Sequence, residues 1–308
     1  MFHRTLSIAL IVVFVGASVS TSAQDGVPLV PGSTIIFTKL SEDQSQNEFV
    51  VAEIYAMNPD GTNQTRITTN TSFDLFPELS PNGQTVAFQA GSAPQMIQLI
   101  EIDGTNERTL ANGAFPSWSP DGSRITFNAP GVGGVGDIWV INADGTGLTN
   151  VTQTTWGEAR PDFSPNGQKI AYQSNRTGNP EIWVMNDDGS NPVQVTNHPA
   201  PDQAPDWSPN GQRILFQSNR DDPRGDIYVV DMQGVHRLTV GGGRDLDPNW
   251  SPTGQQIVFD SDRNFISEQM RQIFIMNEDG SDQFPITFFP HEDAHASWTH
   301  GNVGGESY

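Results

Sequence analysis

Two groups of residues in this 308-residue chain have the types and spacing that chemistry requires. The first is His291-Glu292-Asp293-Ala294-His295, a literal H-E-x-x-H match. In zinc hydrolases that pattern places two imidazoles one helical turn apart, with the glutamate as general base. The second is a set of carboxylates, Asp74, Glu158, Asp202, Asp245 and Asp293, each three residues before a proline or its equivalent, with Gly113 at the same place in one further copy. Carboxylates gathered around one axis at ~8 Å spacing repel by about 2 kcal/mol per pair at an effective dielectric of ~20. Proton uptake, a bound cation, the nearby Arg160 and Arg244, or a basic partner would relieve that repulsion.

The H-E-x-x-H match lacks the helix it needs. It follows Pro290, and the flanking Phe288, Phe289 and Trp298 give no helical period. Zinc-protease chemistry is therefore not expected. As loop residues, His291, Asp293 and His295 combine imidazole and carboxylate donors that suit several divalent ions, and solvent-exposed histidines without a ligand are the alternative. No G-x-S-x-G elbow, phosphate-binding loop or dinucleotide fingerprint occurs in a strand-to-helix setting. The Asp-Gly pairs lack the spacing and terminal glutamate of a calcium-binding EF-hand and read as hairpin turns.

The elements that position these groups come from a repeat. Pro77 to Gly83, Pro116 to Gly122, Pro161 to Gly167, Pro205 to Gly211 and Pro248 to Gly254 are five copies of one pattern, whose serines Ser80, Ser119, Ser164, Ser208 and Ser251 recur at intervals of 39, 45, 44 and 43 residues. Each copy runs into a strand ending in an aromatic, as in Ile170-Ala171-Tyr172 and Ile214-Leu215-Phe216. A second strand and an Asx-Gly or equivalent turn follow, as in Glu181-Ile182-Trp183-Val184 to Asp188-Gly189, then a third strand such as Val193-Gln194-Val195-Thr196. One repeat is a four-stranded antiparallel meander, which is a propeller blade.

The aromatic-ending strand occurs six times, because Ile35-Ile36-Phe37 matches Val86-Ala87-Phe88. That first copy lacks a preceding Pro-x-Trp-Ser segment, and the missing strand lies at the other end, at Ala296-Ser297-Trp298-Thr299. The expected fold is all-β: a six-bladed β-propeller over residues 31–300, closed by the C-terminal strand completing the N-terminal blade. The acids Asp74, Glu158, Asp202, Asp245 and Asp293 would then ring one mouth of the channel. Arg176, Arg220 and Arg263 recur at one repeat position and are expected to form intrablade ion pairs.

The run Trp-Ser-Pro-Asx-Gly, then Ser174-Asn175-Arg176 and Ser218-Asn219-Arg220, then acidic-Ile-aromatic-Val with its Asx-Gly turn, resembles the WD-like repeat of TolB-type propellers. The resemblance covers roughly residues 31 to 300. It implies a periplasmic setting, an added N-terminal α/β domain, and a propeller that binds partner proteins of the cell envelope. About seven residues between the expected cleavage point and the first strand leave no room for that domain here.

Composition bounds the function. With 15 Lys plus Arg against 36 Asp plus Glu, the net charge of -21 opposes binding to nucleic acid and anionic lipid. The absence of cysteine excludes disulfides, thiolate metal sites and cysteine nucleophiles. Residues 1–23 carry a positive start, an apolar run from Leu6 to Val15 and small residues up to Ala23, the pattern of a cleaved secretory signal. A short segment, 24–30, precedes the propeller, and 301–308 form a tail. The expectation is an exported, monomeric, non-catalytic propeller, periplasmic or extracellular and without a stable membrane anchor after cleavage. It binds a protein or peptide, with a basic segment as one form of partner, and a divalent cation in the channel is a further option. The alternative is a metal-dependent propeller enzyme of polysaccharide lyase or hydrolase type. The scarcity of lysine, Lys39 and Lys169 alone, counts against an anionic substrate.

Overall fold

The structure, a computed structural model, describes residues 34–43, 48–92, 94–264, 270–288 and 292–298. The expected signal segment 1–23, the segment 24–30, the tail 301–308 and His291 lie outside the described residues. Among the described residues, no helix is long and apolar enough to cross a membrane.

Six four-stranded antiparallel sheets make the six blades. Their inner strands are Glu292–Trp298 for the first blade, then Asp74–Leu79, Ala114–Trp118, Glu158–Phe163, Asp202–Trp207 and Asp245–Trp250. Closure follows the expected route: Glu292–Trp298 pairs with Ile35–Asp43, setting Trp298 opposite Ile35 and Asp293 opposite Lys39. The last segment of the chain thus seals the first blade, and the ring has no free edge between first and last blades.

Strand periodicity explains the continuous apolar runs. Successive side chains point to opposite faces of a blade, and both faces are covered by a neighbouring blade. Ile170 and Tyr172 pack against the third blade with Ile138, whereas Ala171 faces the fifth with Phe216. The core is accordingly divided into six clusters, one per blade junction, rather than gathered in a single centre.

The repeated Ser-Pro-Asx-Gly segment is a turn in which each residue has a function. Gly83 N donates to Ser80 O at 2.8 Å, and Asn82 Oδ1 accepts from Ser80 Oγ and Gln84 N. Ser80 Oγ in turn accepts from Thr85 N at 2.9 Å. The Asx-Gly turn has a second role beyond reversing the hairpin. Gly189 has φ 85, and a Cβ there would overlap the Val151 carbonyl of the preceding blade, so this turn is seated directly on neighbouring backbone.

Every inner strand is bulged. Its register against the second strand shifts between, for example, Ala159 and Asp162, and between Gln203 and Asp206. The proline of the motif sits in that interval, which is where a residue without an amide hydrogen can enter a ladder. The residue before it, or before Ala296 in the first blade, takes a left-handed backbone in all six blades: Phe76, Phe115, Arg160, Ala204, Asp247 and His295 have φ between 48 and 53.

Candidate functional site

The acids singled out by sequence stand at the starts of the inner strands, Asp74, Glu158, Asp202 and Asp245 as first residues and Asp293 as the second of its strand. Asp74, Glu158, Asp202, Asp245 and Asp293 are all buried, with relative exposures of 0 to 1%. None of them lines the central cavity. Arg176, Arg220 and Arg263 reach back from their own blades to them: Arg176 binds Glu158, Arg220 Nη2 lies 2.6 Å from Asp202 Oδ2, and Arg263 Nη2 lies 2.6 Å from Asp245 Oδ2. These arginines form intrablade pairs, and their partner is the inner-strand acid. Asp74 has Asn70 at 2.9 Å instead, and Asp293 has the Lys39 charge nearby. Without a paired guanidinium, burial pushes both carboxyls up to about 6.

The residues that converge on the axis lie two positions further on, at the bulge. They line a cavity of about 120 Å³ together with the prolines that follow them. The Arg160 guanidinium lies across the opening. Its Cζ is 4.4 Å from the Phe115 ring centroid and 4.9 Å from that of Phe76, and its Nη1 is 2.5 Å from Asp247 Oδ1. Phe76 contacts both Phe115, at 4.4 Å between centroids, and His295, at 3.9 Å. Ala204 has a short side chain, so Arg160 of the fourth blade reaches past the fifth to Asp247 of the sixth.

The bulge backbone is held from the preceding blade. Ala204 N donates to Gln173 Oε1 at 3.3 Å, Asp247 N to Gln217 Oε1 at 2.8 Å and His295 N to Asp260 Oδ2 at 2.8 Å. The residue after the strand-ending aromatic therefore fixes the left-handed position next door. Such strained conformations persist where surrounding contacts over-determine them, and they gather at functional sites.

A second polar ring lies two residues deeper. Glu78, Asp162, Asp206 and Asn249 each accept the backbone N–H of the next blade's Trp118, Trp207, Trp250 or Trp298. Ser117 Oγ donates to Asp162 Oδ1 at 3.1 Å, and Asn249 Nδ2 to Asp206 Oδ1 at 2.7 Å. These bonds stitch neighbouring blades around the channel. Burial pushes the Asp162 carboxyl up to about 7. Burial, with the Asp162 charge added, raises Glu78 and Asp206 well above the usual carboxylate range. The channel below Arg160 is thus a protonatable acidic well.

Of the histidines and acids considered for a metal, the structure brings His295 together with Asp247 and Asp260, with ligand atoms within 4.8 Å of one another. Asp293 is not in this group. Burial holds the His295 imidazole down to about 3, so it is neutral, and its Nδ1 has no partner. The two carboxylates are already engaged, Asp247 by Arg160 and Asp260 by Arg271 at 3.3 Å. Asp260 Oδ1 and His295 Nδ1 have no hydrogen-bond partner, so donor atoms remain free in this cluster, while the Arg160 and Arg271 charges beside them oppose a dication.

A family profile described as "TolB beta propeller domain" matches residues 31–200 and 193–303, nearly the whole repeat region. The chain belongs to the TolB β-propeller family. A TolB homolog of Chlorobium luteolum is 30% identical over 154 residues, covering 49% of this chain and 33% of that protein. An uncharacterized protein of Agrobacterium fabrum is 32% identical over 133 residues, covering 41% of this chain and 44% of that one. These matches span less than half the length of either relative. The crystal structure of TolB from Acinetobacter baumannii superimposes with a TM-score of 0.73 at 18% identity, covering 86% of this chain and 66% of that one, a likeness of fold.

Within this TolB-family propeller, sequence reasoning missed Phe76, Phe115, Ala204 and Asp247. The available signal was the residue before each motif proline. Its identity runs Phe, Phe, Arg, Ala, Asp, with His295 before Ala296, while most surrounding positions repeat. A position that varies in chemistry within a repeated frame marks a place the frame does not dictate.

Proposed function

We propose that this chain is an exported, non-catalytic propeller that receives a basic segment of a protein partner at the axial mouth. One observation carries the reading: six blades present six axial residues in the same left-handed backbone, and their side chains are of five kinds, making one asymmetric surface from a symmetric scaffold. Asp247 supplies negative charge, and Glu78, Asp162 and Asp206 beneath it, whose carboxyls burial holds in the protonated form, add charge by releasing protons when a cation enters. Arg160 occupies that place in the free protein. A partner's lysine or arginine takes it over by pairing with Asp247, while Phe76 and Phe115 stack on the aliphatic stem. The apolar N-terminal run and small residues before Gln24 support export.

Photocrosslinking in exporting cells tests this. A benzophenone side chain replacing Phe115 should yield a discrete protein adduct that is lost with Asp247→Asn and weakened by salt. The same group at Met232, 96% exposed on the rim, should not yield it. Equal adducts from both positions, or an adduct indifferent to Asp247, would overturn the reading.

A further inference from the structure

The blade junctions are not equivalent on the face carrying the Ser-Pro-Asx-Gly and Asx-Gly turns. Between the third and fourth blades, Arg124 lies over the Phe163 ring, with Cζ 5.3 Å from its centroid. Its Nη1 sits 2.9 Å from Asp187 Oδ2, and its Nη2 donates to Gly167 O at 3.4 Å. Between the fifth and sixth blades, Arg213 repeats the arrangement, 4.5 Å above Trp250 and paired with Glu278. An arginine arm from one blade thus clasps an aromatic and an acid of the next.

Between the second and third blades the clasp has no arm at the Arg124/Arg213 position and no acid, and Arg108 crosses instead to the Ala143 carbonyl. Thr85 stands where Arg124 and Arg213 do, and Ala143 stands where Asp187 and Glu278 do. The aromatic is present as Trp118, and the carbonyl-bearing glycine as Gly122. Those four residues line one cleft of about 420 Å³. Trp118 keeps 7% exposure, whereas Trp250 under Arg213 keeps 0%. At the other junctions, Lys169 and Gln256 supply long side chains at the arm position, and Leu79 replaces the aromatic beside Thr34.

The geometry points to this cleft as a docking site for a guanidinium, an arginine side chain of a basic protein partner. The occupant follows from the repeat: the seat left by Thr85 and Ala143 has the aromatic floor that holds an arginine in two other junctions, and the glycine carbonyl that Arg124 also engages in one of them. Trp is the best of the aromatic faces for a cation. Local charge agrees. Glu101 and Asp121 line the cleft against one cation, Arg108, whose Nη2 is committed to Ala143 O at 2.6 Å. By the antiparallel meander, the cleft opens on the turn face, away from the strand starts that lead to the axial mouth, so it stands independently of that site.

The test is a titration of the full chain with Gly-Arg-Gly and Gly-Leu-Gly tripeptides, following the Trp118 indole N–H by NMR, assigned with Trp118→Phe. Gly-Arg-Gly should shift this signal saturably, with Gly-Leu-Gly inert. Two variants should move affinity in opposite directions. Thr85→Arg fills the seat from within and abolishes the shift. Ala143→Asp restores the acid without the arm and tightens binding about two- to fivefold, the value of a partly exposed ion pair. An unmoved Trp118 signal, an equal response to the leucine peptide, or a shift that survives Thr85→Arg in a folded variant would overturn the assignment. If Thr85→Arg fails to fold, weaker or unchanged binding with Ala143→Asp does so alone.

Discussion

Arg160 of the fourth blade reaches past the fifth and meets Asp247 of the sixth, Nη1 to Oδ1 at 2.5 Å, closing the axial opening with a contact between blades that are not neighbours. The contact exists because Ala204 is small and because the bulge turns the pre-proline side chain toward the axis. The pair is largely buried and packed against the Phe76 and Phe115 rings, so removing one partner leaves a poorly solvated charge, while adjacent blades are joined independently by six apolar clusters and the inner ring of hydrogen bonds. Its consequence lies in what it occupies: the place a ligand cation would take.

Closure should be the stability determinant of the ring. Trp298 is fully buried against Ile35 and Phe37, so Trp298→Ala should cost about 3–5 kcal/mol. Deleting the chain from Ala294 onward should abolish cooperative urea unfolding. A truncated protein that unfolds in one transition at an unchanged midpoint would contradict the closure.

The buried pairs within blades should be far more sensitive than surface pairs. Arg220→Ala leaves Asp202, fully buried, without its guanidinium, and a loss of about 3–5 kcal/mol is expected. Arg224→Ala breaks a 3.7 Å pair with Arg224 41% exposed and should change stability by under about 0.5 kcal/mol. Equal urea midpoints for the two variants would refute the distinction.

Fold and site were unequally legible in the sequence. The repeated Trp-Ser-Pro-Asx-Gly and Asx-Gly segments specify turns through residues whose backbone requirements are local, so blade number and closure could be read directly. The inner-strand acids are read as ringing the mouth because the strand that carries the motif proline is the innermost of its blade. The bulge at Phe76-Pro77 and Ala204-Pro205 interrupts the ladder, and the residues lining the central cavity are those two positions further on, Ala204 rather than Asp202. Nor does local sequence carry the long reach from Arg160 to Asp247, 87 residues apart.

Stability should depend on pH with a definite sign. Burial pushes the Asp162 carboxyl up to about 7 and the Asp260 carboxyl up to about 8, both above the ordinary aspartate range. Their contribution is complete below pH ~4 and is lost as pH rises through 7 and 8. His295, held near 3 against 6.5, contributes stability above pH ~6.5 that is lost as pH falls toward 3. The urea midpoint should therefore fall between pH 6.5 and 8, and Asp162→Asn should flatten that slope. A midpoint that rises over this interval would contradict the buried-acid assignment.

Affinity for a cation should follow the same groups in the opposite sense. A basic probe favours ionised Asp162, so binding at the mouth should strengthen as pH rises from 6 to 8. Calorimetry with a tetralysine peptide would register the trend together with proton release; pH-independent binding would exclude the acidic well from the site.

The most direct test sets Arg160→Ala against Asp247→Ala, with tetralysine affinity measured by calorimetry in a Thr85→Arg background so that the turn-face cleft does not contribute. If a ligand cation replaces Arg160 at Asp247, Arg160→Ala should strengthen binding and Asp247→Ala should weaken it. Changes of the same sign, or no change from either substitution, would contradict the axial mouth as the binding site.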